Sequence, residues 1–340
     1  MAALDGSLSQ EYKNKISIGI FIFLVSFLMS IGIHAQDAGS DDGIRLETTL
    51  IQVPVIVKGA GGRYITDLDM GEFSIFENGV KQEIALIKSI EEAFNVILLI
   101  DSSGSTVGQL NQIKAGAKQF INHIRDHDKV MVISFNDSVS TLSPFTSDVP
   151  TLYQAIDSIQ PGEFTQVYEA VYMGIWERLE RIEGRKAVIL FTDGIDTASS
   201  EINREDTLDA VLESEDVIVY PIRYNTRPNV ERKLKVNAEG GQGPVGERSV
   251  RVRKELDSLY GEADDYLDEL AELTGGKVER VDQLTDLGPA LTKIAEELRN
   301  QYLIAYYPIR TKVPKRVLEV RISRPGCQVR VRPGFKVRIQ

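Results

Sequence analysis

The sequence predicts a doubly wound, mostly parallel α/β sheet together with a small all-β domain built from both flanks of the chain. Three observations carry that expectation. Continuous apolar runs at Phe94–Ile100, Val130–Phe135, Ala187–Phe191 and Val217–Ile222 have the uniform hydrophobicity of strands covered on both faces. Helical stretches near Leu110–Ile124, Val167–Arg181, Arg204–Glu213, Asp265–Leu273 and Pro289–Asn300 alternate with or follow them, as in an open α/β sheet. Outside this region the apolar period falls to two, the period of half-buried strands.

Length and composition agree. A chain of 340 residues has room for two domains. With 42% hydrophobic and 26% charged residues, wholesale disorder and a multi-span membrane protein are both excluded. One cysteine, Cys327, makes no internal disulfide and excludes thiolate-rich zinc and iron–sulfur sites. Three histidines argue against a histidine-rich metal or proton-relay site. A net charge of −11 argues against nucleic acid as the partner, because phosphates need clustered cations. The charge is uneven: Arg299–Gln340 holds eleven basic residues to one acid, and the remainder 28 to 49. The tail is therefore expected to dock on an acidic body or an anionic surface.

Along the chain, residues 1–35 read as a targeting segment. Lys13 and Lys15 precede an uncharged run, Ile16–Ile33, and Ala35 follows as a small exit residue, the grammar of a secretory signal. As a helix the run would span about 27 Å against a bilayer core of roughly 30 Å, so an uncleaved single-pass anchor is the alternative. Either way the expected location is exported: periplasm, cell surface or exterior. Residues 36–44 read as a short acidic linker. Residues 45–92 form a β unit in which Ile51, Val53, Val55 and Val57 share a face and Pro54 predicts an edge strand or bulge. Asn78-Gly79 between Phe73–Glu77 and Val80–Ile87 predicts a hairpin.

Residues 93–302 form the α/β domain, with Thr274-Gly275-Gly276 as a helix stop. An insertion at 224–264, Gly-rich at Gly240–Pro244, interrupts the alternation and is expected to be a flexible cover or partner-contact loop. In residues 303–340, Val329, Val331, Phe335, Val337 and Ile339 alternate with basic residues, and Pro325-Gly326 and Pro333-Gly334 punctuate them. A two-strand ribbon alone is marginal, so these strands are expected to complete a composite domain with residues 45–92.

The chemistry concentrates where strands end. The first parallel strand closes on Asp101 and continues Ser102-Ser103-Gly104-Ser105, a D-x-S-x-S pattern. Phe191-Thr192-Asp193-Gly194 places Asp193 at the tip of another strand, and Thr165 opens a helix at the same rim. If the sheet order is 3-2-1-4-5, strands one and four meet where the order reverses, the place where such sheets bind ligands. Two carboxylates and three hydroxyls form an all-oxygen set, which suits a hard cation: Mg²⁺ foremost, with Ca²⁺ or Mn²⁺ as alternatives.

These residues resemble the metal-ion-dependent adhesion site of von Willebrand factor type A domains, over roughly Phe94–Tyr302. The Val53–Asn78 region, Leu298–Tyr302 through Tyr306-Tyr307-Pro308, and Val331–Phe335 extend the likeness to a family of secreted bacterial proteins related to that domain. The resemblance implies that Ser103 and Ser105 bind the metal directly, and that Asp101, Asp193 and Thr165 bind directly or through water. It also implies a partner protein that supplies a carboxylate to the metal. One departure stands out: the threonine loop reads Gly162-Glu163-Phe164-Thr165, bulky and acidic where the family is small.

Plainer readings stand beside these. D-x-S-x-S is also a polar strand-to-helix turn with a serine cap. His123 and His127, at i and i+4, lie at the far end of the first helix, roughly 25–30 Å from Asp101, and read as a polar helix end. Asp196 reads as a loop residue or cap, Trp176 as core or a sheet-facing contact, and the C-terminal basic stripe as the wet face of a sheet. No histidine serves Ser103 or Ser105 and no G-x-S-x-G elbow occurs, against a serine hydrolase. Asp101 would repel a dinucleotide's phosphates, and Ser103 stands where an aspartyl phosphatase needs its second acid. The expected function is an exported, non-enzymatic, cation-dependent adhesion or assembly module. The alternative is a metal-dependent hydrolase or an accessory subunit of a larger enzyme. Membrane contact is expected only through the N-terminal anchor or the basic C-terminal face.

Overall fold

The computed structural model describes residues 50–88, 93–232, 245–308 and 313–337. The expected targeting segment, linker and Gly240–Pro244 stretch lie outside them. Among the described residues no helix is long and apolar enough to cross a membrane.

The N-terminal flank supplies β1 (Ile51–Lys58), β2 (Phe73–Glu77), β3 (Val80–Gln82) and β4 (Ile84–Lys88). Asn78 and Gly79 both take positive φ, 49° and 79°, which closes the β2–β3 hairpin with the right-handed twist its strands need. The run expected as one strand, Val80–Ile87, breaks at Glu83, and its halves join different sheets.

The central region then lays down β5 (Phe94–Asp101), α1 (Leu110–Ile121), β6 (Lys129–Phe135), β7 (Val139–Thr141), α2 (Val149–Ser158) and α3 (Val167–Tyr172). A π-helical turn, Met173–Leu179, continues α3. There follow β8 (Arg185–Thr192), α4 (Arg204–Glu213), β9 (Val217–Tyr224), α5 (Val245–Thr274), β10 (Glu279–Val281) and α6 (Leu287–Arg299). The sheet order is β10-β9-β8-β5-β6-β7, parallel except for β7. Counted in chain order, β5 and β8 are strands one and four, and they are neighbours.

Alternation along β5 sets the two layers. Val96, Leu98 and Ile100 pack with α1, α2 and α6, whereas Ile97 and Leu99 pack with α3, α4 and α5. Helix α5 begins at Val245, not at Asp265 as expected, so much of the supposed insertion is helix. Leu256, Tyr260, Ala263, Leu267 and Leu270 recur at four and three residues and are buried, while most of the residues between are charged.

Both flanks complete two further antiparallel sheets with β11 (Gln301–Tyr306), β12 (Lys315–Ile322), β13 (Gln328–Val331) and β14 (Gly334–Lys336). Their orders are β13-β1-β11-β4 and β14-β12-β2-β3, so each sheet interleaves strands from both ends of the chain. Val53, Val55, Ile75, Ile304 and Phe335 are fully buried in their common core. The two C-terminal strands separate into different sheets and do not form a ribbon with each other. Strand β1 is internal, not an edge: Pro54 faces Leu303 on β11, but β13 pairs only with Val55–Lys58, so Pro54 sits just beyond that ladder.

Several basic side chains of the C-terminal flank meet acids within the molecule. Arg316 Nη1 donates to Glu77 Oε1 at 2.6 Å, buried, and Tyr306 Oη donates to Glu77 Oε2 at 2.8 Å. Arg324 reaches Asp67 and Glu72, Arg330 reaches Glu297, and Lys336 reaches Asp209.

Candidate metal centre

Three chain segments meet at the carboxyl ends of β5 and β8. Asp101 is the last residue of β5, and the chain turns tightly behind it. Asp101 Oδ1 accepts from Ser103 N at 2.9 Å, and Thr106 Oγ1 donates to Ser103 O at 2.9 Å. That turn brings the Ser103 and Ser105 hydroxyls to 3.1 Å from each other. From β8, Thr192 Oγ1 donates to Asp101 Oδ2 at 2.8 Å, and Ser105 Oγ donates to Asp193 Oδ2 at 2.8 Å. Asp101, Ser103, Ser105 and Asp193 thus form one hydrogen-bonded cluster. Gly194 turns the chain away with φ +83°, where an added Cβ would also lie 2.9 Å from Leu267.

Thr165 comes in by its backbone. Its amide donates to Thr197 Oγ1 at 2.9 Å, and its carbonyl accepts from Thr197 N and Ala198 N, both at 3.0 Å. Gly162 N donates to Ser102 O at 2.8 Å, tying the threonine loop to the Asp101 turn. Gly104 is required at that contact, because a Cβ there would stand 2.9 Å from the Glu163 carbonyl oxygen. The Thr165 side chain is buried, but its hydroxyl makes no hydrogen bond to the other four.

Several supporting residues lay outside the sequence expectation. Asp137 accepts from Glu163 N and Phe164 N at 3.1 and 2.6 Å, so the backbone of these residues is held while the Phe164 side chain stays 50% exposed. Asp196, expected as a loop residue or cap, caps α3 by accepting from Val167 N at 2.7 Å. Thr226 Oγ1, beyond β9, donates to Asp193 Oδ2 at 2.6 Å and lies 2.8 Å from Tyr260 Oη on α5. Only Thr192 and Asp196 had a signal in the sequence, their adjacency to Asp193; Thr226 and Tyr260 arrive through the fold.

The electrostatics follow from burial. Asp101 is fully buried, and burial first, then the charge of Asp193, pushes its carboxyl up to about 7. Asp193 is raised too, by burial, against the opposing hydrogen bonds from Thr226 and Ser105. Two adjacent buried carboxylates are therefore a costly arrangement at neutral pH unless a proton or a cation shares them. Among the described residues no three His, Cys, Asp or Glu side chains gather into a metal cage. The set here has two carboxylates and relies on hydroxyls.

Residues 96–195 match the family model for the von Willebrand factor type A domain, and that span contains all five of these residues. Residues 96–195 thus belong to a von Willebrand factor type A domain. Several solved structures are similar to this chain. One is von Willebrand factor type A from Catenulispora acidiphila: 10% identity, 86% of this chain and 74% of that one, TM-score 0.45. Another is the vWF domain of the type V pili tip protein Mfa5 from Porphyromonas gingivalis: 12% identity, 60% and 94%, TM-score 0.44. A third is proximal thread matrix protein 1 from the mussel byssus with a zinc-occupied adhesion-site motif: 15% identity, 66% and 50%, TM-score 0.46. The match spans about half the length of the mussel protein. No curated protein matches the chain.

Proposed function

We propose that this protein is an exported, non-enzymatic binding module that holds one divalent cation at Asp101, Ser103, Ser105, Thr165 and Asp193 and captures a carboxylate of a partner protein. The observation that supports this reading is the convergence of four of these side chains, with the threonine loop tied beside them, at the sheet's reversal point. The donors are all oxygens and carry two negative charges, which suits Mg²⁺ foremost, or Ca²⁺ or Mn²⁺. With only two charges among its protein donors, a divalent cation there supplies an acceptor for one further anionic oxygen, and a partner's Asp or Glu is the ligand of that chemistry.

The chain's own residues do the rest. Thr192, Thr226 and Ile195 N orient the two carboxylates, and Asp137 and Asp196 hold the threonine loop. Phe164 stands exposed next to Thr165 and offers a partner an apolar contact. Among the described residues no imidazole serves the serines as a base, since His123 and His127 follow the end of α1 remote from Ser105. Export rests on the charge and hydropathy pattern of the N-terminal segment.

Thermal unfolding tests the cation. Mg²⁺ at a hundredfold excess over Kd should stabilise the protein by about 2.7 kcal/mol. Asp101→Ala should remove that gain while circular dichroism remains that of the parent. Capture is tested with a glutamate-bearing peptide and its glutamine counterpart. Binding of the first alone, reversed by EDTA, is expected, and equal binding of both would contradict it.

A further inference from the structure

A surface groove of about 280 Å³ lies between α3 with its π turn and α4, and shares no lining residue with the candidate metal centre. Tyr172 and Trp176 form its aromatic side, with ring centroids 6.1 Å apart and planes at 30°. Trp176 is half-buried on this groove, not in the core. Glu201, Asp206, Asp209 and Glu213 supply its acids. Asp206, Asp209 and Glu213 fall at i, i+3 and i+7 of one helix face, a row of like charges that destabilises an isolated helix unless a cation lies along it.

We propose that this groove binds the side chain of an arginine on a partner protein. One cation already samples its acids: Lys336 Nζ sits 2.9 Å from Asp209 Oδ2 and 3.8 Å from Glu213 Oε1. That ammonium engages one end of the row. Among the described residues no cation pairs with Glu201 or Asp206, and Arg204 turns away to Glu269. The vacant stretch therefore combines two unneutralised carboxylates with two aromatic rings. A guanidinium matches both, because its plane stacks on an aromatic ring while its fork meets a carboxylate. Lysine fits less well, lacking the planar fork. The net charge of −11 draws cationic partners to this surface.

Trp176 is the chain's single tryptophan, so its fluorescence reports on the groove. The full-length protein would be titrated with an acetylated tetra-arginine peptide, and with the same peptide carrying citrulline, the neutral isostere. The experiment runs in EDTA, because this proposal is independent of the metal. Saturable change in Trp176 emission with arginine, absent with citrulline and at least tenfold weaker in a Glu201→Gln/Asp206→Asn variant, is expected. The Lys336→Gln variant, which frees Asp209 of its ammonium, should bind several-fold more tightly. That opposite sign keeps the test decisive should the double variant fold poorly. No saturable response, an equal response to citrulline, or binding only once Lys336 is removed would overturn the proposal.

Discussion

Asp101 and Asp193 lie side by side without solvent, and their hydrogen bonds come from hydroxyls and amides. An acid held above its ordinary 3.8 in the fold, here at about 7, keeps a proton that the unfolded chain has already released. Cation-free stability should therefore fall as pH rises from about 4 to 7, and stay low above that. Melting temperatures across that range without metal, compared with Asp101→Asn, check this; the variant should lose the share of the slope that Asp101 supplies and keep that of Asp193. Thr226→Val removes the hydroxyl beside Tyr260 and one of the three donors to Asp193, which should cost about 1–3 kcal/mol and weaken cation binding. Gly104→Ala pushes on the Glu163 carbonyl and should lower cation affinity about tenfold in titration calorimetry while the melting temperature changes little. The D-x-S-x-S turn was legible because its residues are contiguous. Thr226 and Tyr260 were not, because 34 positions of chain separate two groups that the fold places 2.8 Å apart.

At the level of elements, the long buried strands announced themselves by continuous hydrophobicity, whereas β7 and β10, three residues each, carry too little pattern to read. Helix α2 is hard to read from the sequence although Asp148 accepts from Thr151 N and Pro150 stands in its first turn, because it spans only ten residues. The start of α5 is hard to read because its first half is rich in charge and, among residues 251–259, only Leu256 is buried. An element-scale prediction concerns Arg332, which reads as one basic residue among several but is fully buried. Its guanidinium donates to the carbonyls of Gly334, Ser214 and Val211 at 2.7, 2.6 and 3.0 Å, satisfying the end of α4. Burial pushes it down to about 10, still charged at neutral pH. Arg332→Lys loses the fork and should cost about 2–4 kcal/mol in denaturant unfolding.

For the whole molecule, the composite β domain follows from interleaving: β1 lies between β11 and β13, and β12 between β2 and β14. Period-two patterns at both ends of the sequence made that association legible, but not the split into two sheets, which depends on the break at Glu83 and on tertiary pairing. A chain ending at Tyr306 lacks β12, β13 and β14 and uncovers Ile75 and Val55. It should lose protection of residues 50–88 in limited proteolysis at temperatures where the full chain resists. The charge asymmetry between the tail and the remainder is absorbed in part by pairs such as Arg324–Glu72 and Lys336–Asp209. The central sheet positions one rim, at the ends of β5 and β8, and the most direct test addresses that rim. It is anomalous diffraction from crystals grown with Mn²⁺. One peak is expected, bounded by Asp101, Ser103, Ser105, Thr165 and Asp193; a manganese-saturated crystal with no peak there would rule out a cation at this rim.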